Sequence, residues 1–237
     1  MEPAFRPQNV IARGATANER QNDARIASGA VQAFFQGRTG TLGPEDMAVG
    51  VRGILRRAAG AKAAFVVVNR ADRTVSINKD AGTTWAAVTV VFTLYQSGPL
   101  LDPATDEQIR PGPWRCVAFA PGSGRGVWIA VDYQGFAAHG TGSEDVGEMR
   151  EVMDYVSDVT VPLWSRVEPT PVVFETTTIG FQPPWAAGGI LLVLLGEAAV
   201  RGTTADGIRK LWDDEARHWE PKEWRSRGQA IMYANCD

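Results

Sequence analysis

The chain has 237 residues, 44% hydrophobic and 22% charged, with a formal net charge of −3 and a pI near 5.5. This is the composition of a globular domain, long enough for one large domain. It excludes the global basic field that holds nucleic acid. A spanning helix needs about 20 consecutive apolar residues. The apolar run Ile190–Leu195 closes at Glu197 and follows Pro183 and Pro184, so no membrane-spanning helix is expected.

In chain order, residues 1 to 43 read as a flexible polar arm with Pro3 and Pro7. Within it, Ile26, Ala30 and Ala33 or Phe34 fall at helical spacing. The opening residues lack an apolar h-region and read as no signal peptide. The expected localisation is soluble: cytoplasmic, or secreted by a non-classical route. Residues 44–59 read as an amphipathic helix. Pro44 fits its first turn, Glu45 and Asp46 complement its positive start, Arg56 and Arg57 its negative end, and Gly60 stops it. Met47, Val51, Ile54 and Leu55 share one face, while Gly50 and Gly53 weaken the helix.

From Lys62 the period changes to two. Residues 63–78 read as strand, turn, strand, and Val88, Val90, Phe92 and Leu94 mark a longer strand. Residues 100–113 form a proline-rich loop, and 114–136 a strand pair around the turn 121–126. Residues 143–159 read as a helix capped by Ser143. Residues 170–181 and 188–196 read as strands, the second buried on both faces between glycines. A helix over 203–224 and a short terminal strand over 228–237 complete the chain. Several short strands without helices between them predict a mainly β fold: an antiparallel β-sandwich over 62–196, flanked by α-helices, in one domain spanning 44–237. Its expected core holds Phe65, Val67, Val90, Phe92, Val117, Ile129, Leu191 and Val193.

Groups for chemistry are few. Of the two histidines, His139 lies in a glycine-rich loop near Ser143, Glu144 and Asp145, without nucleophile-elbow spacing. His218 lies in a charged helix. The glycine-rich 121–126 lacks a P-loop lysine. Asp213, Asp214 and Glu215 point in different directions from a helix and do not converge on a metal. No catalytic centre, metal or cofactor is expected. Cys116 and Cys236 read as free thiols, a long-range bridge being the alternative. Of eight tryptophans, Trp164 and Trp185 read as loop residues, and exposed loop aromatics grip membrane interfaces or sugars.

The order of parts resembles the actinoporin-like pore-forming proteins. The stretch 49–77 has the family's helix, strand, turn and strand. Residues 91–126 follow with an aromatic strand, a Tyr-x-x-Ser-Gly-type turn at Tyr95, a proline-rich loop and a hairpin. The aromatic loop at Asp132, Tyr133 and Phe136, the helix pattern around Met149 and Tyr155, and the Gly-aromatic loop at 180–185 continue that order. Arg150 and Asp154 stand where the family has tyrosines. The resemblance implies binding to phosphocholine lipid headgroups through Tyr133, Phe136, Tyr155, Trp164 and Trp185. It also implies insertion of the helix bearing Met47, Val51, Ile54, Leu55, Arg56 and Arg57, and self-oligomerisation on the membrane. The expected function is therefore pore formation without enzymatic activity. The alternative is a non-enzymatic binding module for a glycan or protein ligand.

Overall fold

The structure is a computed structural model that describes residues 6–8, 17–37, 41–69, 74–96, 100–101, 108–110, 114–119, 125–132, 173–180 and 187–236. A three-residue strand β1 (Arg6–Gln8) precedes α1 (Ala17–Ala30), which runs into a π turn over Val31–Phe35. Then come α2 (Pro44–Arg57) and the strands β2 (Ala63–Asn69), β3 (Thr74–Lys79) and β4 (Val90–Gln96). The small ladder of β5 (Leu100–Leu101) and β6 (Gln108–Arg110) follows. β7 (Trp114–Phe119), β8 (Arg125–Asp132) and β9 (Val173–Gly180) complete the strands. The chain closes with α3 (Ala187–Arg201), α4 (Ala205–Asp214) and α5 (Pro221–Tyr233).

The expected antiparallel sandwich is overturned. Among the described residues helix outweighs strand, and one open mixed sheet carries the helices. Its order is β1-β3-β2-β4-β7-β8-β9. β2 pairs antiparallel with β3 and parallel with β4. The ladders β4–β7 and β7–β8 are antiparallel, and β8–β9 is parallel. A parallel pair needs a crossover, which usually contains a helix. Here β3 and the short 3-10 turn at Trp85–Ala87 make it, bringing the chain back to start β4 beside β2. The absence of a helix between two strands was therefore no proof of antiparallel pairing.

The second correction is larger. Residues 188–196 are not a strand but the middle of α3. Glycine at both ends of the apolar run reads as strand punctuation, yet the run continues through Glu197, Ala198 and Ala199 at good helix propensity. A helix that is apolar on every side belongs inside a protein. Every residue from Ile190 to Leu195 is buried, among α2, α4, α5 and the inner strands. The region 203–224 is likewise split into α4, a 3-10 turn at Ala216–His218 and the start of α5, and the expected terminal strand at 228–237 is the end of α5.

Close approach in this bundle depends on missing side chains. A β-carbon at Gly188 would stand 2.8 Å from Trp114, and one at Gly196 2.8 Å from Ile231. Gly189 meets the ring of Phe34, and Gly228 that of Phe35. On α2, Gly50 lies under Leu192, and Gly53 faces the Ile231 carbonyl and the Asn235 amide. Asn235 also donates to the Val49 carbonyl at 3.1 Å. Trp224 closes the aromatic cluster, 6.0 Å from Phe34 and 6.3 Å from Phe35 between ring centroids.

The sheet's inner face presents Phe65, Val67, Phe92, Leu94, Cys116 and Ala118 to this helical core. The opposite face holds Ala64, Val66, Val68 and Val91, also buried. Strands buried on both faces read as the continuous apolar runs seen at 63–68 and 90–92. Of the expected core, Phe65, Val67, Val90, Phe92, Leu191 and Val193 are buried. Val117 and Ile129 are placed in β7 and β8, where only the backbone is described.

A helix-interior glycine changed to alanine ordinarily gains about 0.5–1 kcal/mol. At Gly53 the new methyl would collide with the main chain of α5, and overpacking costs about 1–3 kcal/mol. Gly53→Ala is therefore expected to lower the urea unfolding midpoint. A midpoint that rises contradicts the close α2–α5 contact.

Candidate functional site

The residues assigned to membrane insertion are found in α2. Met47, Val51, Ile54 and Leu55 are all buried in the main core, against α3, α5 and β2. Arg56 and Arg57 are exposed at the helix end, and Arg56 Nη1 reaches the Ala234 carbonyl at 3.4 Å. Insertion of this helix therefore requires dismantling the core. The glycines that read as weak points are contact points. The headgroup residues Tyr133, Phe136, Tyr155, Trp164 and Trp185 lie outside the described residues, as do His139, Ser143, Glu144 and Asp145. No described helix is long and apolar enough to cross a membrane.

The remaining chemistry candidates separate in space. His218 is exposed and accepts a hydrogen bond from Arg217 Nε at 3.0 Å. Asp213 and Asp214 are exposed on α4. Glu215 instead pairs with Arg201, whose Nη1 and Nη2 donate at 2.5 and 2.7 Å. This bidentate contact holds the Glu215 carboxyl below its ordinary pKa, against a smaller desolvation effect that raises it. Arg201 also meets Glu197 at 3.5 Å, and Glu197 accepts from Arg227, which reaches Glu223. The guanidinium of Arg227 lies 5.0 Å over the Trp219 ring. This chain of charges ties α3, the turn after α4, and α5 together. Among the described residues no group of three or more His, Cys, Asp or Glu is placed to hold a metal ion.

Among the described residues, a cleft of about 340 Å³ lies where α2 and α3 both end. Its floor is made of small side chains, Ala58, Ala61, Ala63, Ala198 and Ala199, with Val90 from the start of β4. A glycine in the left-handed region follows each helix. Gly60 has φ +79° and Gly202 φ +63°, the left-handed region that glycine enters without strain. Tight turns close each end, with Ala61 N–H donating to Ala58 O at 2.9 Å and Thr203 N–H to Ala198 O at 2.8 Å. A β-carbon at Gly60 or Gly202 would meet nothing within 4 Å, so the rim is open there.

The polar residues lining the cleft are Lys62, Thr89, Arg201 and Thr203, and two helix ends reach it. The last carbonyls of a helix point along its axis beyond its end and carry about half a negative charge together. Two such ends converge here. Lys62 and Arg201 stand at the rim, Arg201 already committed to Glu215 and Glu197. Thr89 fixes the wall, its N–H and Oγ1 both donating to the Lys62 carbonyl, at 2.8 and 3.1 Å. Thr83 Oγ1 donates to the Ala61 carbonyl at 3.2 Å. Val200, on the lip, is 60% exposed, one of two large apolar side chains so placed among the described residues; Tyr233 is the other. The arrangement sets an aliphatic surface beside two helix ends, which suits an apolar side chain carried on a donor-bearing backbone.

Nothing in the motif search pointed to these residues. The signal present is a repeated helix ending, Ala58-Ala59-Gly60 and Ala198-Ala199 followed by Gly202. It becomes informative only once residues 188–199 are known to be helical. Comparison with known proteins adds no neighbour: no family model, no curated protein and no solved structure matches this chain.

The two cysteines are free and differ sharply. Burial pushes the Cys116 thiol far above its ordinary pKa, whereas Cys236 is exposed, with its Sγ 4.0 Å from the Ala24 carbonyl. A thiolate is the reactive form, and a buried thiol stays inert. In a disulfide-exchange titration of the native protein one thiol is expected to react, with the second released only by denaturant. Rapid reaction of both contradicts the placement of Cys116.

Proposed function

We propose that this chain is a protein-binding module that holds an extended segment of a partner in the cleft between the ends of α2 and α3. The observation that carries this reading is the cleft itself. It sets an aliphatic floor and the exposed Val200 beside the C-terminal ends of two helices, where partial negative charge gathers. A peptide supplies the matching groups: N–H donors along its backbone and an apolar side chain for the alanine floor. Mixed pockets of this kind bind by apolar contact and take orientation from a few polar groups. The lining is aliphatic apart from Lys62, Thr89, Arg201 and Thr203, without the aromatic platform on which a sugar ring stacks, which favours a protein over a glycan. Binding here requires no rearrangement of the core, whereas pore formation by α2 requires its apolar face to be withdrawn from the core.

The test is selection of linear peptides from a displayed library on the full-length protein, followed by affinity measurement with two variants. Ala59→Trp fills the cleft from an exposed position, and Val200→Asp removes the aliphatic lip. Each is expected to weaken the selected peptides by about tenfold or more, the effect of losing one hot-spot contact, while leaving the unfolding midpoint near that of the parent. Peptides that bind both variants as tightly as the parent place the binding surface elsewhere and refute the reading. Dye release from phosphocholine vesicles by the full-length protein favours the membrane reading in its place.

A further inference from the structure

The cleft between the ends of α2 and α3 carries charge of one sign. Among the described residues that line it, Lys62 and Arg201 are the ionisable ones, and no side chain is acidic. The two cations are in different states. Arg201 is neutralised, because Glu215 accepts from both its Nη atoms and Glu197 stands 3.5 Å away. Lys62 is exposed, and its ammonium group makes no hydrogen bond or ion pair with a described residue. Arg57, in the last turn of α2 next to the cleft residue Ala58, is exposed and has no acidic partner among the described residues either.

Cations in this place offset the negative end of α2. The offset leaves a surplus, since a helix end carries about half a negative charge against a full positive charge on each of Lys62 and Arg57. The side of the cleft where α2 ends is therefore positive, while the α3 side holds Arg201 between two carboxylates. The rim is open at both glycines, because a β-carbon at Gly60 or Gly202 would meet nothing within 4 Å. A bound chain has room to continue past the cleft instead of ending in it.

We propose, on the reading of the cleft as a peptide site, that Lys62 sets its specificity: the bound segment carries an Asp or Glu side chain on the α2 side, beside the apolar residue that rests on the alanine floor. The carboxylate pairs with Lys62. Glu197 and Glu215 disfavour an acid on the other side, and so fix the direction in which the segment lies. Charges at the edge of an interface select the partner and its register more than they add affinity. An exposed pair of this kind is worth about two- to fivefold in affinity, and salt screens it.

The experiment selects displayed peptides on the full-length protein and, in parallel, on Lys62→Glu. The random positions are flanked by fixed neutral residues, so that no terminal carboxylate reaches the cleft. On the parent, selection is expected to enrich Asp or Glu at one position beside an apolar residue. On Lys62→Glu the same position is expected to turn to Lys or Arg. A selected peptide with its acid replaced by the matching amide is expected to bind the parent about two- to fivefold more weakly in dilute salt. In about 1 M salt, where the screening length falls to about 3 Å, the two peptides are expected to bind alike. Lys62→Gln is expected to bind them alike at both salt concentrations. A lysine that only offsets the α2 dipole changes the unfolding midpoint and leaves the choice of peptide as it was. The role of Lys62 is overturned if parent and Lys62→Glu enrich the same residues, or if the parent binds acid and amide peptides alike in dilute salt; the cleft reading still stands in that case if Ala59→Trp weakens the selected peptides. If they bind Ala59→Trp as tightly as the parent, or if none is selected, the cleft reading fails and the role of Lys62 falls with it.

Discussion

A helix with no polar side, placed where it must be enclosed on all sides, is the constraint on which this architecture rests. Ile190–Leu195 offers nothing to water. Fully burying one such side chain stabilises by about 1.5–3 kcal/mol, so the run as a whole is comparable to the net stability of a typical domain. Enclosure requires α2, α5 and the sheet to approach α3 closely. Gly188, Gly189 and Gly196 on α3 and Gly50 on α2 supply the room, while Gly53 and Gly228 do the same where α5 meets α2 and the Phe35 ring. A side chain at any of them would meet a neighbour at less than van der Waals distance.

The same constraint decides where binding surfaces are left. Helices α2 and α3 are packed along their length and open only at their ends, where Gly60 and Gly202 turn the chain away and the cleft appears. The ion-pair chain from Glu215 through Arg201, Glu197 and Arg227 to Glu223 stiffens one wall, because it links α3 to the segments on either side of Trp219. On the other side, α1 is joined to α2 by the Asp23–Arg52 ion pair, and the π turn that continues it seats Phe34 and Phe35 in the core beside Trp224.

Much of the sheet was legible from residue pattern. The period-two stretches at 63–78 and 90–96 are β2, β3 and β4, and the strand pair expected over 114–136 is β7 and β8, with β8 beginning at Arg125 and Gly126 of the expected turn. The helical spacing of Met47, Val51, Ile54 and Leu55 is that of α2. What pattern did not give is context. Periodicity cannot tell an enclosed helix from an enclosed strand, and the glycines around 188–196 act as packing contacts rather than as punctuation. The parallel β2–β4 pair needed the path of β3, which local sequence does not encode. The β-sandwich expected from the order of parts is overturned for the same reason, since matching helix and strand in sequence does not fix how they pack. The cleft was illegible for a different reason: it is built from main-chain ends and alanines, which carry no motif.

Helix α3 is the enclosed axis of the molecule. Native-state hydrogen exchange as a function of denaturant measures this directly. Amides of residues 190–199 are expected to exchange only through global unfolding, with the free energy and denaturant dependence of the whole protein. Exchange of those amides through small openings, faster than the amides of β2 and β4, contradicts it.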